Sequence, residues 1–407
     1  MKFELNELDA HKSQDFLNYF IAQLKEKNKL PFLGNASAGF NDSGQYETFI
    51  SDFVETNSGE GIAVDWKIVQ NVDGTIPLVE AISKTSIDIN TCSNHINKFF
   101  SEVLKLTLAD KKETFYNRSH YCFIHGSNLN GEYWITSKLR IAPLYVDDNS
   151  MLINAERILV IDQLIDAIDK THSRQLSDER ASLLSAQLSF LFDIGIYKPV
   201  REERWTISHE KDVGEIKNER FQLGVWDEQR LDRMPVKGEL CTLCKPTDTV
   251  YKYERCVGEK LGFPQETRKI LKAVEATEYT KQLAFNRCCR LYQTALNAGR
   301  YHPTIKLSYM YAAVDSITQT TKNEKGFSEF MRKYNPSVTD EFLDYIHSKI
   351  RSAHWHSGEF IMGDNESNWK EPLTNPNSHL RFNILRNGRK ALRDAILNWI
   401  FKEIVTE

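Results

Sequence analysis

The 407-residue sequence predicts an α+β protein in which a strand-rich N-terminal domain precedes an all-helical C-terminal domain. Turn dipeptides between short apolar runs recur in the first 150 residues, a pattern typical of antiparallel strands. Beyond residue 264 the apolar residues recur at helical spacing instead. A chain this long is expected to form two or three domains, each with its own core. We therefore predict a strand-rich domain over residues 1–150, a helical segment over 151–198, a connector over 199–263 and a helical bundle over 264–407.

The predicted N-terminal domain opens with an amphipathic helix over Asp9–Lys27, where aromatic and apolar residues recur at helical spacing. Two hairpins are predicted to follow it. The first turns at Asp73-Gly74, because this dipeptide supplies the positive φ angles of a tight turn. The second turns at Asn130-Gly131, which also separates two apolar runs.

Two helices are predicted in the middle segment, over Ala155–Asp169 and Ser177–Phe192, with Ser177 as the N-cap of the second. Three acidic residues of the first would share one face: Asp162, Asp166 and Asp169. We interpret that face as a solvated surface and not as a metal site, since no other ligand converges on it. The connector that follows is polar and lacks periodicity.

Four long helices are predicted after residue 264. They cover Gln265–Ala298, Thr304–Thr320, Ser337–His356 and His379–Ile404. Pro303 suits the first turn of the second helix, where its missing amide costs nothing. That helix is apolar on several sides and should be central. Gly358 is expected to end the third. Basic residues of the last helix are expected to point largely outward: Arg381, Arg386, Arg389, Lys390 and Arg393.

The composition, with 41% hydrophobic and 27% charged residues, is typical of a soluble globular protein. No stretch approaches the roughly 18 uncharged apolar residues of a membrane span. The N-terminus also lacks a secretory signal, so we expect a cytoplasmic protein without a membrane partner. The net charge of −4 hides a split, because residues 264–407 contain 21 Lys and Arg against 16 Asp and Glu. A basic C-terminal domain indicates a polyanionic ligand, and the alternative is ordinary scatter between domains.

Seven cysteines, unevenly spread over a long chain, do not resemble a disulfide framework. Cys241 and Cys244 have the spacing of one half of a structural zinc site. Cys256 would be a third ligand, and His209 or Cys288 a fourth. A complete motif would need another close pair of Cys or His, so reduced thiols without metal are the alternative.

The segment Tyr345–Gly358 contains the residues best suited to chemistry. Arg351 and His356 form an Arg-x4-His pair near the end of a predicted buried helix. A guanidinium group stays charged and offers a planar fork of donors that matches phosphate oxygens. Histidine titrates near neutrality, as general acid–base catalysis requires. The pair is therefore suited to cleaving a phosphodiester.

This ending, Arg351-Ser352-x3-His356-x-Gly358, resembles the HEPN ribonuclease superfamily, in particular its Apea-like branch. The preceding segment Tyr309–Ile317, with Asp315 followed by a small residue, is similar to an apolar helix of that branch. The resemblance covers about a third of the chain, residues 264–407. It implies a helical endoribonuclease that needs no catalytic cofactor. It further implies that a ribose 2′-hydroxyl attacks the adjacent phosphate and leaves a 2′,3′-cyclic phosphate, and that Asp315 orients Arg351.

The spacing of the pair also bears on assembly. Five residues at about 100° each place Arg351 and His356 about 140° apart on a regular α-helix, so one helix does not readily aim both at one phosphate. HEPN domains generally pair their motifs across a two-fold axis, and the resemblance thus implies a homodimer with a shared cleft.

Two further histidines lie beside Arg351 by spacing, because residues 347, 351 and 354 are separated by four and three. His347 and His354 are candidates for substrate binding, and His354 is an alternative proton shuttle. The competing interpretation makes both of them surface or interface residues.

The resemblance implies an RNA substrate and a role as a toxin or as an effector of antiviral defence by abortive infection. The N-terminal domain would then sense a trigger, for instance a phage product, or restrain the nuclease. A second hypothesis is a non-catalytic RNA-binding or protein-interaction module. A third is a metalloenzyme built on His347, His354 and His356.

Overall fold

The computed structural model describes residues 1–5, 8–28, 36–56, 58–109, 112–124, 128–144, 150–151, 156–198, 204–209, 216–221, 231–244, 261–364 and 376–406. The chain forms two compact units. The first contains Met1–Phe115 and Ile165–Gln175, and the second contains Tyr116–Leu164 and Leu176–Glu407.

The first unit contains a five-stranded antiparallel sheet and two α-helices. Its strands are β1 (Lys2–Glu4), β2 (Ala36–Phe40), β3 (Tyr46–Glu55), β4 (Gly61–Gln70) and β5 (Leu78–Ser83), in the order β1-β5-β4-β3-β2. Its helices are α1 (Ala10–Asn28) and α2 (Ser93–Ala109), the latter after a 3₁₀ turn at Ile89–Cys92. The predicted first helix is therefore confirmed. The first predicted hairpin is also confirmed, because β4 pairs with β5 and Gly74 has a φ of 89°.

An aromatic core joins the sheet of this unit to its helices. Alternate residues of β4, including Trp66, are buried. The Phe20 ring of α1 meets the Trp66 ring edge-on at 5.1 Å and the Phe99 ring of α2 at 5.2 Å. Burial of such large rings is a principal source of stability in a small core.

The second five-stranded sheet has the order β11-β6-β10-β8-β7. Its strands are β6 (Glu113–Ile124), β7 (Tyr133–Thr136), β8 (Leu139–Leu144), β10 (Glu156–Ala167) and β11 (Ile196–Tyr197). A third sheet, in the order β13-β12-β9, contains β9 (Ser150–Met151), β12 (Arg204–His209) and β13 (Ile216–Phe221). The predicted connector therefore includes a hairpin, β12–β13.

The prediction of a helix over Ala155–Asp169 was wrong, because these residues contribute β10, an inner strand of the second sheet. Residues 158–162 are buried in succession, so both faces of the strand are covered. A continuous apolar run is compatible with either a buried helix or a buried strand, and the β-branched residues here favoured the strand. The next helix, α3 (Lys170–Phe192), begins well before the predicted Ser177.

The second predicted hairpin was also wrong. β6 does not pair with β7, which instead pairs with β8. Gly131 has a φ of 95°, and a Cβ there would lie 2.2 Å from the carbonyl oxygen of Thr242. The glycine therefore permits close approach of the segment around Thr242 and does not form a two-residue hairpin turn.

Helices make up the rest of the second unit. They are α4 (Thr267–Ala276), α5 (Tyr279–Ala298), α6 (Pro303–Thr321), α7 (Phe327–Tyr334), α8 (Asp340–Asp344), α9 (Ala353–Ser357) and α10 (Pro376–Ile400). π-Helical segments follow α8 and α10, at Tyr345–Ser352 and Phe401–Val405. Pro303 occupies the first turn of α6, as predicted, and α6 is buried on most sides. The sequence missed α7 and the break between α4 and α5.

Two arginines of α10 do not point outward as predicted. Arg393 is only 1% exposed and donates to the carbonyl oxygens of Phe190 and Leu191, at the end of α3. Arg389 pairs with Asp193, just beyond α3. These long side chains join α10 to α3 across the second unit.

The predicted α+β class is confirmed, with two antiparallel sheets in the N-terminal half and helices in the C-terminal half. Within the described part of the chain, no helix combines the length and the apolar composition that a bilayer crossing requires.

Candidate functional site

The predicted Arg351/His356 segment is one continuous helical stretch with a clear start and end. The Thr339 side chain accepts a hydrogen bond from the Phe342 amide at 3.2 Å and so caps α8. At the far end, Gly358 has a φ of 68° and its amide donates to the His354 carbonyl at 3.1 Å. Gly358 therefore terminates the helix, as predicted.

Between these ends the stretch is π-helical over Tyr345–Ser352 and returns to α-helix at Ala353. π-Helical turns are rare and occur frequently at functional sites. They contain more residues than α-helical turns, because their hydrogen bonds join residues five apart. The 140° estimate assumed a regular α-helix, and it therefore does not describe the segment that carries Arg351.

The central contact of the site is the ring of Tyr311 on α6. It stacks on Phe327 with centroids 4.1 Å apart. The Arg351 guanidinium carbon lies 5.6 Å from the same ring, and the His347 ring lies 6.0 Å from it. The structure thus brings Arg351 and His347 together on one aromatic side chain. A second contact, from the Ser308 hydroxyl to the Ile350 carbonyl at 3.5 Å, joins α6 to the π-helical segment.

Arg351 is half-buried and held by its ring contact. Within the described ranges, its guanidinium makes no hydrogen bond or ion pair. Asp315, the residue that the resemblance assigns to orienting it, accepts instead from the Thr318 hydroxyl at 3.4 Å. Both charges nevertheless act on Tyr311. Burial raises the pKa of Tyr311 to about 12, with Asp315 adding to the increase and Arg351 opposing it.

His354 belongs to a cluster of aromatic rings on the surface. Its ring lies 5.4 Å from the Trp355 ring and 5.1 Å from the Phe360 ring. Trp355 in turn meets Tyr309 edge-on at 5.4 Å. Trp355 is 48% exposed and Phe360 is 38% exposed. We call these four residues, Tyr309, His354, Trp355 and Phe360, the aromatic platform. It presents large rings to solvent beside the helix end.

His356 is exposed in the last turn of α9, and Ser352 is half-buried before it. In the part of the chain that the structure describes, no hydrogen bond or ring contact joins His356 to Arg351. The segment beyond His356 is nevertheless anchored, because Asp364 accepts hydrogen bonds from the amide and the hydroxyl of Thr304 at the start of α6. The end of this helical stretch is thus joined to α6 by Ile350 before it and by Asp364 after it.

The described residues contain no group of three His, Cys, Asp or Glu side chains that could hold a metal ion. His347 contacts Tyr311, whereas His354 contacts Phe360. Two of the three histidines of the metalloenzyme hypothesis therefore contact different side chains. Of the cysteines, Cys256 lies outside the described residues. The zinc site therefore stays a prediction.

Cys241 instead adjoins a buried ionic network that the sequence analysis missed. Asp162, interpreted as a solvated residue, is fully buried. Arg140 bridges two carboxylates, with its Nε 2.5 Å from Glu132 and its Nη1 2.6 Å from Asp162. Its Nη2 lies 3.6 Å from the Cys241 sulfur. Burial raises the pKa of the Cys241 thiol, against the opposing effect of Arg140.

Asp162 has two more partners in this network. It accepts from the Tyr116 hydroxyl at 2.7 Å and from Arg118 Nε at 2.7 Å. Such an enclosed and satisfied network is typical of a structural role, because its charges are committed to one another. We therefore assign it to holding β6, β8 and β10 together.

No protein-family model matches this chain, and neither a curated protein nor a solved structure is significantly similar to it.

Sequence reasoning singled out His354 but missed Tyr311 and the other three members of the aromatic platform. Tyr311 resembled ordinary core, since it lies in a helix that is apolar on several sides. The exposure of Trp355 could have been anticipated, because it follows Ile350 by five residues, whereas Ile350 follows the buried Ile346 by four.

Proposed function

We propose that the α4–α10 bundle is a metal-independent endoribonuclease of the HEPN type. Arg351 would bind the scissile phosphate and stabilise its developing charge. His356, with His354 as the alternative, would transfer the proton as the ribose 2′-hydroxyl attacks the phosphorus and the 5′-oxygen leaves. The products would be a 2′,3′-cyclic phosphate and a 5′-hydroxyl end.

One observation carries this proposal. The Arg351 guanidinium is oriented by the face of Tyr311, and no described residue accepts a hydrogen bond from it. An arginine that supports a fold usually donates to carbonyls or carboxylates, as Arg140 and Arg393 do here. Arg351 instead keeps its planar fork of donors for a ligand, and phosphate matches that fork.

The aromatic platform favours single-stranded RNA as the substrate. Unpaired bases stack on exposed aromatic side chains, which contributes about 1–3 kcal/mol per base. Trp355 and Phe360 are exposed next to the helix end that carries His356. A base held there would bring its own phosphate toward Arg351.

Dimerisation belongs to the same proposal. His356 points to solvent without a described contact to Arg351, and a second copy of the chain would supply the missing partner across a shared cleft. We further propose that the chain acts in the cytoplasm as a toxin or phage-defence effector, with the first unit sensing a trigger or restraining the nuclease.

The decisive experiment is cleavage of an end-labelled single-stranded RNA by the full chain in EDTA. Arg351→Lys keeps the charge but loses the planar fork, so the rate should fall by at least about tenfold. His356→Ala should abolish cleavage, whereas the exposed controls Arg332→Lys and His11→Ala should retain it. Cleavage at the wild-type rate by both Arg351→Lys and His356→Ala would overturn the assignment.

Two alternatives have their own outcomes in that assay. A non-catalytic RNA-binding module would bind the labelled RNA without cutting it, and His356→Ala would not change its affinity. A metalloenzyme would lose activity in EDTA and regain it when a divalent metal is added.

A shared cleft can be tested by mixing Arg351→Ala with His356→Ala protein. If each centre takes Arg351 from one chain and His356 from the other, about half of the wild-type activity returns per mixed dimer, because one of its two sites is complete. A chain that cuts at full rate as a monomer would exclude the shared cleft and favour His354.

A further inference from the structure

A lysine that the proposed nuclease mechanism does not use, Lys306, lies near the start of α6. It lines a cavity of about 650 Å³ between α6 and α10. This volume is within the usual range of small-molecule sites, about 300–1,000 Å³. The described lining contains no carboxylate and no histidine: Lys306, Phe382, Leu385, Arg386, Asn387, Arg389 and Lys390.

The amine of Lys306 has no described hydrogen bond or ion pair, although the side chain is half-buried. A lysine of a folded protein usually pairs with an acid or extends into water. Lys333 in the same bundle shows the first arrangement, because its amine lies 2.8 Å from the Glu324 carboxylate. Lys306 shows neither arrangement and forms part of the cavity wall instead.

The charges around Lys306 do not stabilise its ammonium form. The cations of Arg389 and Arg300 oppose it, and only Asp193 favours it. Asp193 is already shared, because it pairs with Arg389 and accepts from the Tyr292 hydroxyl at 2.7 Å.

Three further titratable residues surround the lysine. Arg386 and Lys390 line the same cavity, and each of them has a partner of its own. His302 lies one turn earlier, where its carbonyl oxygen accepts from the Lys306 amide at 2.9 Å. None of the three supplies a negative charge to the Lys306 amine.

Burial and these cations together favour the uncharged amine. Burial lowers the pKa of Lys306 to about 8, and Arg389 and Arg300 act in the same direction, against Asp193. At about pH 7.5 roughly a quarter of such amines are uncharged, against roughly one in a thousand for a lysine with the ordinary pKa of about 10.4. Desolvation and neighbouring cations are the means by which proteins make a lysine nucleophilic.

The apolar part of the lining indicates which electrophile fits. Phe382 is 47% exposed and offers a ring face, and Leu385 extends the apolar wall. An aromatic ring can stack on the Phe382 ring. A carbonyl group on that ring suits an uncharged amine, since their condensation needs neither a metal nor a leaving group other than water.

We propose that Lys306 is a nucleophilic residue that forms an imine with an aromatic aldehyde bound between α6 and α10. The amine nitrogen forms a double bond to the carbonyl carbon. The bond from this carbon to oxygen breaks, and the oxygen leaves as water with the two protons of the amine. The site is independent of the proposed nuclease, since neither Arg351 nor His356 lines it.

Trapping of the imine in the full chain tests this assignment. The chain is incubated at about pH 7.5 with benzaldehyde and sodium cyanoborohydride, which reduces an imine to a stable amine, and each modified lysine is quantified by peptide mass spectrometry. Lys306 should react at least about tenfold faster than the exposed Lys272, because more of its amine is uncharged. Its rate should also saturate as benzaldehyde is raised, because the aldehyde binds before it reacts.

Matched variants separate the fit of the ring from the reactivity of the amine. Phe382→Ala should raise the half-saturating benzaldehyde concentration by about two- to tenfold, the loss expected for one aromatic stacking contact. Leu380→Ala changes an exposed residue of the same helix outside the lining and should have no effect. Formaldehyde is too small to need the ring, so it should modify Lys306 equally fast in wild type and in Phe382→Ala.

The proposal is wrong if benzaldehyde modifies Lys306 no faster than Lys272, and the formaldehyde rates then show whether the amine or the fit of the ring is at fault. A Lys306 rate that rises linearly with benzaldehyde would reject a binding site. Equal effects of Phe382→Ala and Leu380→Ala would reject stacking on Phe382.

Discussion

Removing Arg140 should open the second sheet, because this side chain is the only described link between the carboxylates of Glu132 and Asp162. It is 1% exposed, and each carboxylate it bridges is equally enclosed. Removing one partner of a buried ion pair typically costs about 3–5 kcal/mol, since a charge is left buried without compensation.

We expect the free-energy cost of Arg140→Met to lie near the lower end of that range, because both carboxylates keep other partners. Asp162 would keep Arg118 and Tyr116. Glu132 would keep the Trp134 indole at 2.9 Å and the Gly238 amide at 2.6 Å. We therefore expect a loss of about 3 kcal/mol in the free energy of opening of β8 and β10.

Hydrogen–deuterium exchange of peptides from β8 and β10 measures this local free energy, which suits a chain with two units whose global unfolding need not be two-state. The control is Arg332→Met. Arg332 forms an exposed pair with Asp340, whose loss should cost about 0–1 kcal/mol.

A second substitution separates the loss of charge pairing from a simple packing defect. In Arg140→Met, adding Glu132→Gln removes the uncompensated carboxylate and should recover part of the lost stability. If Arg140→Met stays within about 1 kcal/mol of wild type, the network does not stabilise the sheet as we describe. If Glu132→Gln gives no recovery, packing and not charge explains the loss.

Three further predictions concern the helical bundle. Tyr311→Leu should slow RNA cleavage by about two- to fivefold through the loss of about 0.5–1 kcal/mol of cation–π contact, whereas Tyr311→Phe should cleave like wild type because the ring remains. Gly299→Ala should lower the melting temperature at a cost of about 1–3 kcal/mol, because a Cβ there would lie 2.4 Å from the Ala295 oxygen and 2.6 Å from Lys306. The control is Gly39→Ala, which should not lower it, because a Cβ at Gly39 meets no atom within 4 Å. Equal melting temperatures of the two variants would contradict the packing around Gly299. Burial lowers the pKa of Lys306 to about 8, so as the pH rises the folded chain loses the Lys306 proton before the unfolded chain does. The free energy of unfolding of wild type, relative to that of Lys306→Met, should therefore rise from pH 8 toward pH 10. A difference that does not change with pH would refute the shift.

The sequence by itself determined the elements whose signals are local. Pro303 at the start of α6, the Asp73-Gly74 turn and the glycine stop at Gly358 each impose a backbone preference within a few residues. The periodicity of α1 needed only its own residues. The same reasoning selected Arg351 and His356 as the candidate pair, because their chemistry and spacing are visible in the chain, and their role stays a prediction.

Only the tertiary structure decided the rest, because the determining partners are remote in sequence. β10 is a strand since β6 and β8 pair with its two edges and its side chains are buried on both faces. Asp162 is buried because Arg140 and Arg118 meet it from 22 and 44 residues away. Arg389 turns inward toward Asp193, 196 residues earlier. Likewise, Arg351 lies over Tyr311 because the π-helical turn and the packing of α6 place them together. Side-chain spacing on an ideal helix contains no information about such partners, so burial, pairing and the direction of each charge follow from packing alone.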